Sequence, residues 1–143
     1  MKKYHKYVFD QDKRCFVGDF EKMYQDEVKD GFDSWHQEDS RQLNREIALS
    51  ILKGWNFESV LDIGCGKGGL THVLKKRNNR ILGIDISETA IETARSRYPD
   101  IDFDVVDITI LDVLVESLTK AKGPHNGFVD LVFTSETLSY LEN

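Results

Sequence analysis

The segment from residue 60 to residue 69 reads VLDIGCGKGG, and it is the part of the chain best suited to chemistry. Gly64, Gly66 and Gly69 follow an apolar strand-like run at the G-x-G-x-x-G spacing of dinucleotide-binding loops. A side chain at such glycines would obstruct a ligand that approaches the backbone, or would forbid a positive φ. We therefore expect a ligand site at this loop, and the alternative is a tight turn that binds nothing.

Three aspartates are expected at the same edge of the protein as this loop. Asp85 comes 21 residues after Gly64, at the end of the next apolar segment, where its carboxylate can accept hydrogen bonds from both hydroxyls of a ribose. Asp62 precedes the first glycine, and its negative charge suits a cationic ligand better than a pyrophosphate. Asp107 follows the third strand-like segment and can accept a hydrogen bond from an adenine amino group. The glycine spacing alone does not separate NAD from other adenosine-bearing cofactors, but Asp62 and Asp107 make NAD the weaker interpretation.

Alternating strands and helices are predicted from residue 59 onward. Ser87 is expected to cap a helix whose inner face is Ala90, Ile91 and Ala94. This alternation predicts an α/β fold, a doubly wound parallel sheet with helices on both faces. Four short apolar segments have the character of buried strands, at 60–63, 80–85, 102–106 and 128–133.

The pattern before residue 59 is different. Two short strands are predicted over 6–10 and 14–19, and a helix over 20–28 with Val28 on its apolar face. A second helix is predicted over 40–53, with Ser40 as its N-cap. Its apolar face is expected to be Leu43, Ile47, Ala48, Ile51 and Leu52.

The composition excludes several classes of protein. The chain has 143 residues, 40% of them apolar, and its net charge of −6 argues against a nucleic-acid-binding protein. No apolar run approaches the roughly 20 residues that span a bilayer, so no membrane partner is expected. Two cysteines and four histidines lack metal-ligand spacing, so no metal site is expected, and a reducing cytoplasmic location is the simplest interpretation.

Four segments, in order along the chain, resemble class I S-adenosylmethionine-dependent methyltransferases: residues 60–68, 83–87, 104–108 and 128–136. The resemblance covers about residues 58 to 142. It implies a Rossmann-like fold, S-adenosylmethionine as cofactor, and a division into an N-terminal helical cap at 1–39 and a cofactor-binding domain at 40–143. The family's sheet has seven strands in the order 3-2-1-4-5-7-6, so we expect only the four strands 3-2-1-4 here and a domain that is incomplete at its C-terminus.

The resemblance also implies a role for particular residues. The backbone at Gly64, Cys65 and Gly66 is expected to contact the methionine part of the cofactor. Asp85 is expected to bind the ribose of the cofactor. Ser135 is expected near the methyl group. The expected cofactor-binding residues together are Asp62, Gly64, Cys65, Gly66, Asp85, Ile86, Asp107, Ile108 and Ser135.

The expected reaction is methyl transfer to an oxygen or nitrogen of a small molecule. Residues 135–142 resemble bacterial small-molecule methyltransferases, including those acting on amino sugars and polysaccharide precursors. Glu136 and His36 are the candidates for a general base, but a surface or structural role suits each better, and no catalytic residue is assigned. A non-catalytic cofactor-binding module is the alternative function, and an NAD(P)-dependent oxidoreductase is a weaker one.

The N-terminal segment and the last strand raise two further expectations. Segments 20–24 and 32–35 resemble the cap of such enzymes, so Tyr24 or Trp35 is expected to close over the cofactor; the alternative is that both are core aromatics. With no strand expected beyond the fourth, its edge would be unpaired. We therefore expect either a cofactor-binding fragment of a longer enzyme or a homodimer through the fourth strand.

Overall fold

The computed structural model describes residues 5–36, 42–121, 128–135 and 137. A small hairpin and three helices precede a region in which strands and helices alternate. The elements are α1 (His5–Val8), β1 (Phe9–Asp10), β2 (Cys15–Phe16), α2 (Phe20–Asp30), α3 (Leu43–Leu52), β3 (Ser59–Ile63), α4 (Gly69–Leu74), β4 (Arg80–Asp85), α5 (Glu88–Arg97), β5 (Asp102–Val105), α6 (Leu111–Ala121) and β6 (Leu131–Thr134).

A four-stranded parallel sheet organises the described residues, with strand order β5-β4-β3-β6. Strand β3 is central and pairs with β4 on one side and β6 on the other, with Val60 between Ile81 and Leu131. The predicted parallel sheet and its order 3-2-1-4 are confirmed. The fourth strand is shorter than predicted, because it begins at Leu131, and Phe128 lies outside it with 72% of its surface exposed.

Both faces of the sheet are covered, as a doubly wound fold requires. Val60 and Ile81 belong to one core cluster with Ile91 of α5, whereas their neighbours Leu61 and Leu82 belong to a second cluster on the α6 side. Successive strand residues point to opposite faces, so this alternation explains why the strands read as continuous apolar runs.

Helix α5 forms as predicted. The Ser87 side chain accepts a hydrogen bond from the Ala90 N–H at 3.1 Å, which satisfies one of the unpaired donors at the helix start. Ala90, Ile91 and Ala94 are fully buried. The small side chains of Ala90 and Ala94 let α5 approach both the sheet and α2, whose Met23 and Tyr24 pack with Ala90.

The other helices correct two predicted faces. Helix α2 turns Glu27 inward, whereas Val28 is 66% exposed, because α2 packs on α5 through Met23 and Tyr24. Helix α3 packs on the first core cluster through Leu49 and Leu52. The predicted apolar face of α3 is therefore correct at Leu52 but wrong at Leu43, Ile47 and Ile51, which are exposed.

The N-terminal prediction holds in outline. The two short strands form an antiparallel hairpin, but they are shorter than predicted, and residues 5–8 are helical. The predicted N-cap Ser40 lies outside the described residues. Within the described ranges, no helix is long and apolar enough to cross a membrane.

Two glycines with similar backbone angles allow a test of the packing behind the glycine loop. Gly68 has φ +79°, and a Cβ there would lie 2.7 Å from Phe103 Cζ and 3.1 Å from Ala94 Cβ. Gly31 has φ +66°, but a Cβ there would meet nothing within 4 Å. We expect Gly31→Ala to lower the free energy of unfolding by about 1 kcal/mol through backbone strain, and Gly68→Ala by about 2 kcal/mol more through overpacking. Urea denaturation of both variants checks this, and equal losses would contradict the packing argument.

Candidate functional site

A cavity of about 270 Å³ opens at the carboxyl edge of the sheet. Its walls come from the ends of β3 and β4, the loops that follow β3, β5 and β6, and the N-terminal segment. Eight of the nine residues expected to bind cofactor line it together: Asp62, Gly64, Cys65, Asp85, Ile86, Asp107, Ile108 and Ser135. Gly66 is not part of the wall, but its N–H donates to Asp85, which is.

Asp85 connects two of these loops. Its carboxylate accepts hydrogen bonds from the Gly66 N–H at 2.9 Å and from the Ser87 N–H at 3.0 Å. Burial raises the pKa of Asp85, and the two N–H groups oppose that rise. Each oxygen keeps acceptor capacity beyond these bonds, so Asp85 can hold the loops in place and still accept from a ligand hydroxyl.

Asp62 is the second buried carboxyl on the cavity wall. The Thr71 hydroxyl donates to it at 2.6 Å. Burial raises the pKa of Asp62 to about 6; the Thr71 hydrogen bond opposes this, the negative charge of Asp85 adds to it, and the positive charge of Arg45 lowers it slightly. A cavity with two buried carboxyls favours a ligand that carries positive charge.

The glycine loop is held close to the sheet. The N–H groups of Gly64 and Cys65 both donate to the Ile84 carbonyl, at 2.8 and 3.0 Å. Gly64 has φ +74°, and a Cβ there would lie 1.9 Å from Thr137 Oγ1, so the segment after β6 occupies the space that a side chain would need. Burial raises the pKa of the Cys65 thiol well above its ordinary value, so this thiol is not an activated nucleophile.

The wall after β5 combines an acceptor with apolar surface. The Asp107 carboxylate accepts hydrogen bonds from the Thr109 hydroxyl and N–H, which hold the pKa of Asp107 below its ordinary value. Ile86 and Ile108 lie on the same wall. An ionised acceptor beside branched apolar side chains is suited to a flat base with an exocyclic amino group.

Aromatic residues from the N-terminal segment form the wall opposite the sheet. Tyr24 and Trp35 line the cavity together with Phe16 and Phe20. Tyr24 is also buried in a core cluster against which Trp35 and Phe20 pack. The two interpretations of these aromatics are therefore compatible, since the same side chains fill a core and face the cavity.

Two polar clusters join this aromatic wall to the rest of the protein. Glu21 of α2 accepts hydrogen bonds from the Ser87 hydroxyl at 2.6 Å and from the Thr89 N–H at 3.2 Å, at the start of α5. Lys67 in the glycine loop donates to Glu27 of α2 at 3.0 Å and to Asp33 at 2.8 Å.

His36, one of the two candidate general bases, is not placed in the cavity. His36 is exposed and is not part of the cavity wall. Glu136 lies outside the described residues. In the part of the chain that the structure describes, no cluster of three or more His, Cys, Asp or Glu side chains could hold a metal ion.

Three residues of the site were not predicted from the sequence. Arg45 of α3 lines the cavity and donates from Nη1 to the His36 carbonyl at 3.1 Å, and Thr71 and Lys67 engage buried carboxylates. Arg45 lies in an amphipathic helix, and the pattern of that helix predicts that its charged residues are exposed to solvent. For Lys67 the sequence gives a weak indication. A lysine in a glycine loop that is otherwise buried needs a carboxylate partner, but the sequence does not show which one.

The sequence matches a family model described as a methyltransferase domain over residues 60–143. The chain belongs to this methyltransferase family. A phosphoethanolamine N-methyltransferase from Triticum aestivum is 30% identical over 102 residues, which cover 69% of this chain and 18% of that protein. A trans-aconitate 2-methyltransferase from Escherichia coli (strain 55989 / EAEC) is 47% identical over 88 residues, which cover 60% of this chain and 30% of that protein.

Solved methyltransferases share the fold. A SAM-dependent methyltransferase from Anabaena variabilis superposes with a TM-score of 0.62 at 15% identity, over 80% of this chain and 46% of that one. Phosphoethanolamine N-methyltransferase 1 from Haemonchus contortus, in complex with phosphoethanolamine and S-adenosylhomocysteine, gives 0.58 at 22% identity, over 96% and 28%. The methyltransferase domain described here thus spans less than half the length of these relatives.

The residues at the cavity fit the cofactor of the family, S-adenosylmethionine. The two buried carboxyls, Asp62 and Asp85, match the positive charge of a sulfonium and an ammonium group. Asp85 also offers acceptors for ribose hydroxyls, and the wall at Asp107 and Ile108 suits adenine. The donor and acceptor chemistry of the cavity therefore agrees with the family membership.

The raised pKa of Asp62 predicts a pH dependence of stability. The ordinary pKa of an aspartate is about 3.9, and in the folded methyltransferase domain the pKa of Asp62 is about 6. Between these values the folded state binds more protons than the unfolded state, so the contribution of Asp62 to stability falls as pH rises through this window. Relative to Asp62→Asn, the wild type should lose about 2–3 kcal/mol of unfolding free energy between pH 4 and pH 6.5.

Urea denaturation of both proteins across this range measures the difference. Asp107→Asn is the matched control, because the pKa of Asp107 is lowered and its contribution to stability is lost only as pH falls below about 4. The difference between wild type and Asp107→Asn should therefore change little across this range. A constant difference between wild type and Asp62→Asn over the whole range would show that Asp62 does not titrate in this window.

Proposed function

We propose that this chain binds S-adenosylmethionine in the cavity at the sheet edge and transfers its methyl group to an oxygen or nitrogen of a small molecule. The observation that carries the proposal is the pair of buried carboxyls, Asp62 and Asp85, on the wall of a cavity that is otherwise largely apolar. Burying two like charges side by side is costly, and a cationic ligand offsets that cost.

The proposed roles follow the walls of the cavity. Asp85 and Ile86 hold the ribose, and Asp107 and Ile108 hold the adenine. The methionine part lies against Asp62 and the backbone at Gly64 and Cys65, with Gly66 acting through Asp85. Ser135 faces the methyl group, on the segment after β6.

The cofactor supplies an activated methyl group on a sulfonium, so the protein has little covalent chemistry to perform. The chain's own residues position the reactants and exclude water. Tyr24 and Trp35 close the side of the cavity opposite the sheet. No general base is assigned among the described residues, and an acceptor that ionises readily needs none.

The class of acceptor is part of the proposal. The names of the relatives include an N-methyltransferase of phosphoethanolamine and a methyltransferase of trans-aconitate. These acceptors differ, so similarity alone supports a small molecule and no single compound. We favour an oxygen or nitrogen on a sugar or polysaccharide precursor because residues 135–142 resemble bacterial small-molecule methyltransferases that include enzymes acting on such compounds.

The proposal also includes the organisation of the chain. Residues 1–39 act as a cap over the cofactor site and residues 40–143 as the cofactor-binding domain. The net charge of −6 supports a protein that acts on small molecules and does not bind nucleic acid. The site is proposed to work in the cytoplasm, where S-adenosylmethionine is available.

Calorimetric titration of the purified protein with S-adenosylmethionine, and separately with NAD, tests the proposal. We expect binding heat and a raised melting temperature with S-adenosylmethionine and neither effect with NAD. Asp85→Asn should weaken this binding at least tenfold, about 1.4 kcal/mol, because it removes a charge and an acceptor. Asp100→Asn, a substitution of an exposed aspartate away from the cavity, should leave it unchanged.

The outcomes separate the hypotheses. Absence of S-adenosylmethionine binding would refute the proposed function, and binding of NAD would favour the oxidoreductase. Binding without formation of S-adenosylhomocysteine from any candidate acceptor would favour the non-catalytic module.

We further propose that β6 mediates a homodimer. Among the described residues β6 pairs only with β3, and Val132 on this strand is half exposed. An apolar strand with an unpaired edge is prone to pair with another chain. Light scattering should therefore give the mass of a dimer, and Val132→Lys should shift it toward the monomer. A monomeric wild type at all concentrations would remove this proposal.

A further inference from the structure

Lys67 is the one residue of the glycine loop that carries a charge, and it is buried. Its side chain donates to Glu27 Oε2 at 3.0 Å and to Asp33 Oδ1 at 2.8 Å. Lys67 is only 6% exposed and Glu27 only 3%, whereas Asp33 is partly open to solvent. None of the three side chains belongs to the cavity wall. The ion cluster therefore lies outside the cavity wall and does not line the site itself.

Each member of the cluster is attached to a wall of the cavity. Lys67 follows Gly66, whose N–H donates to Asp85. On the other side, Glu27 lies one turn beyond Tyr24 on α2. The second oxygen of Glu27 accepts from the Ser34 N–H at 2.7 Å, directly before Trp35.

The physical chemistry of buried charge makes this cluster sensitive to the position of the cap. A buried ammonium is tolerated only when carboxylates compensate it, and removal of one partner leaves an uncompensated charge. Lys67 comes from the glycine loop, and both carboxylates come from the N-terminal segment. The charges are compensated without water only when the two parts are in contact, so the ion cluster links the order of the cap to the geometry of the loop.

We propose that Lys67 is a positioning residue, a latch that holds the aromatic cap segment against the glycine loop and thereby sets the affinity for S-adenosylmethionine without contacting it. This inference rests on the proposed function, since it names what controls that site. Tyr24 and Trp35 are the side chains that the latch places, through Glu27 on one side and through Asp33 and Ser34 on the other.

The test combines calorimetry with hydrogen exchange on Lys67→Met, Glu27→Gln and the double variant. Each single variant should weaken S-adenosylmethionine binding at least tenfold and speed amide exchange over residues 31–36 by a similar factor. The double variant should be no weaker than the worse single variant, because both remove the same interaction. Lys67→Arg should keep most of the affinity.

Lys22→Met is the matched control. Lys22 makes an ion pair of 3.1 Å with Asp26 on the same helix α2, but its side chain is largely exposed. Exposed pairs contribute little, so neither affinity nor exchange should change. Should Lys67→Met fail to fold, Asp33→Asn, which alters the most exposed member of the cluster, should show the same two effects in weaker form.

Several outcomes would overturn the latch. Loss of affinity in Lys67→Met but not in Glu27→Gln would show that Lys67 meets the cofactor itself. Lower melting temperatures with unchanged affinity would reduce the cluster to a structural role. If the wild type binds no S-adenosylmethionine, the proposed function fails, but this result alone does not decide the role of Lys67. Unchanged amide exchange over residues 31–36 in ligand-free Lys67→Met would refute that role by itself.

Discussion

The buried carboxylate of Asp85 is the constraint on which the site depends. It accepts one N–H from Gly66 in the loop after β3 and one from Ser87 at the start of α5. A buried carboxylate without donors costs several kcal/mol, so these two backbone groups cannot move away independently. The positive φ of Gly66, +53°, is the conformation in which its N–H meets this carboxylate. One side chain at the end of β4 thus fixes two loops that form the cavity.

The same burial gives the cavity its preference for charge. Asp62 lies one residue before the end of β3 and Asp85 ends the neighbouring β4, and burial raises the pKa of both. The negative charge of Asp85 makes ionisation of Asp62 less favourable, and a cation bound beside both carboxyls would offset this cost. Thr71 and Arg45 act in the opposite direction, but the pKa of Asp62 is still raised. The charge of the cavity therefore favours a positively charged ligand.

Local signals in the sequence were enough to predict the sheet and eight residues of the cavity wall. Ser87 and the small residues Ala90 and Ala94 define α5 through capping and periodicity, both of which act within one helix. The chain order of strands and the rule that parallel strands end at one edge bring Asp62, Asp85 and Asp107 together. Such features could be predicted because each follows either from neighbours in sequence or from a general rule of parallel sheets.

The face of α3 and the partners of Lys67 could not be predicted in this way. Periodicity predicts an apolar face of α3 that includes Leu43, Ile47 and Leu52, but tertiary packing decides which side chains are buried. Leu52 packs on the core together with Leu49, which was not predicted, whereas Leu43 and Ile47 are exposed. Glu27 precedes Lys67 by 40 residues, and only the docking of α2 on α5 brings their charges together. Long-range pairs of this kind follow from tertiary packing, and a single sequence carries no direct signal for them.

These long-range pairs close a ring around the cavity. Glu21 of α2 accepts from Ser87, whose N–H donates to Asp85, and Asp85 in turn accepts from Gly66. Gly66 is followed by Lys67, which returns to α2 at Glu27. Because the ring begins and ends on one helix, a shift of α2 must strain a hydrogen bond on each side of the cavity. Helix α2 and the two loops should therefore move as one unit, which is the property a cofactor site needs if binding is to order the aromatic wall that α2 contributes.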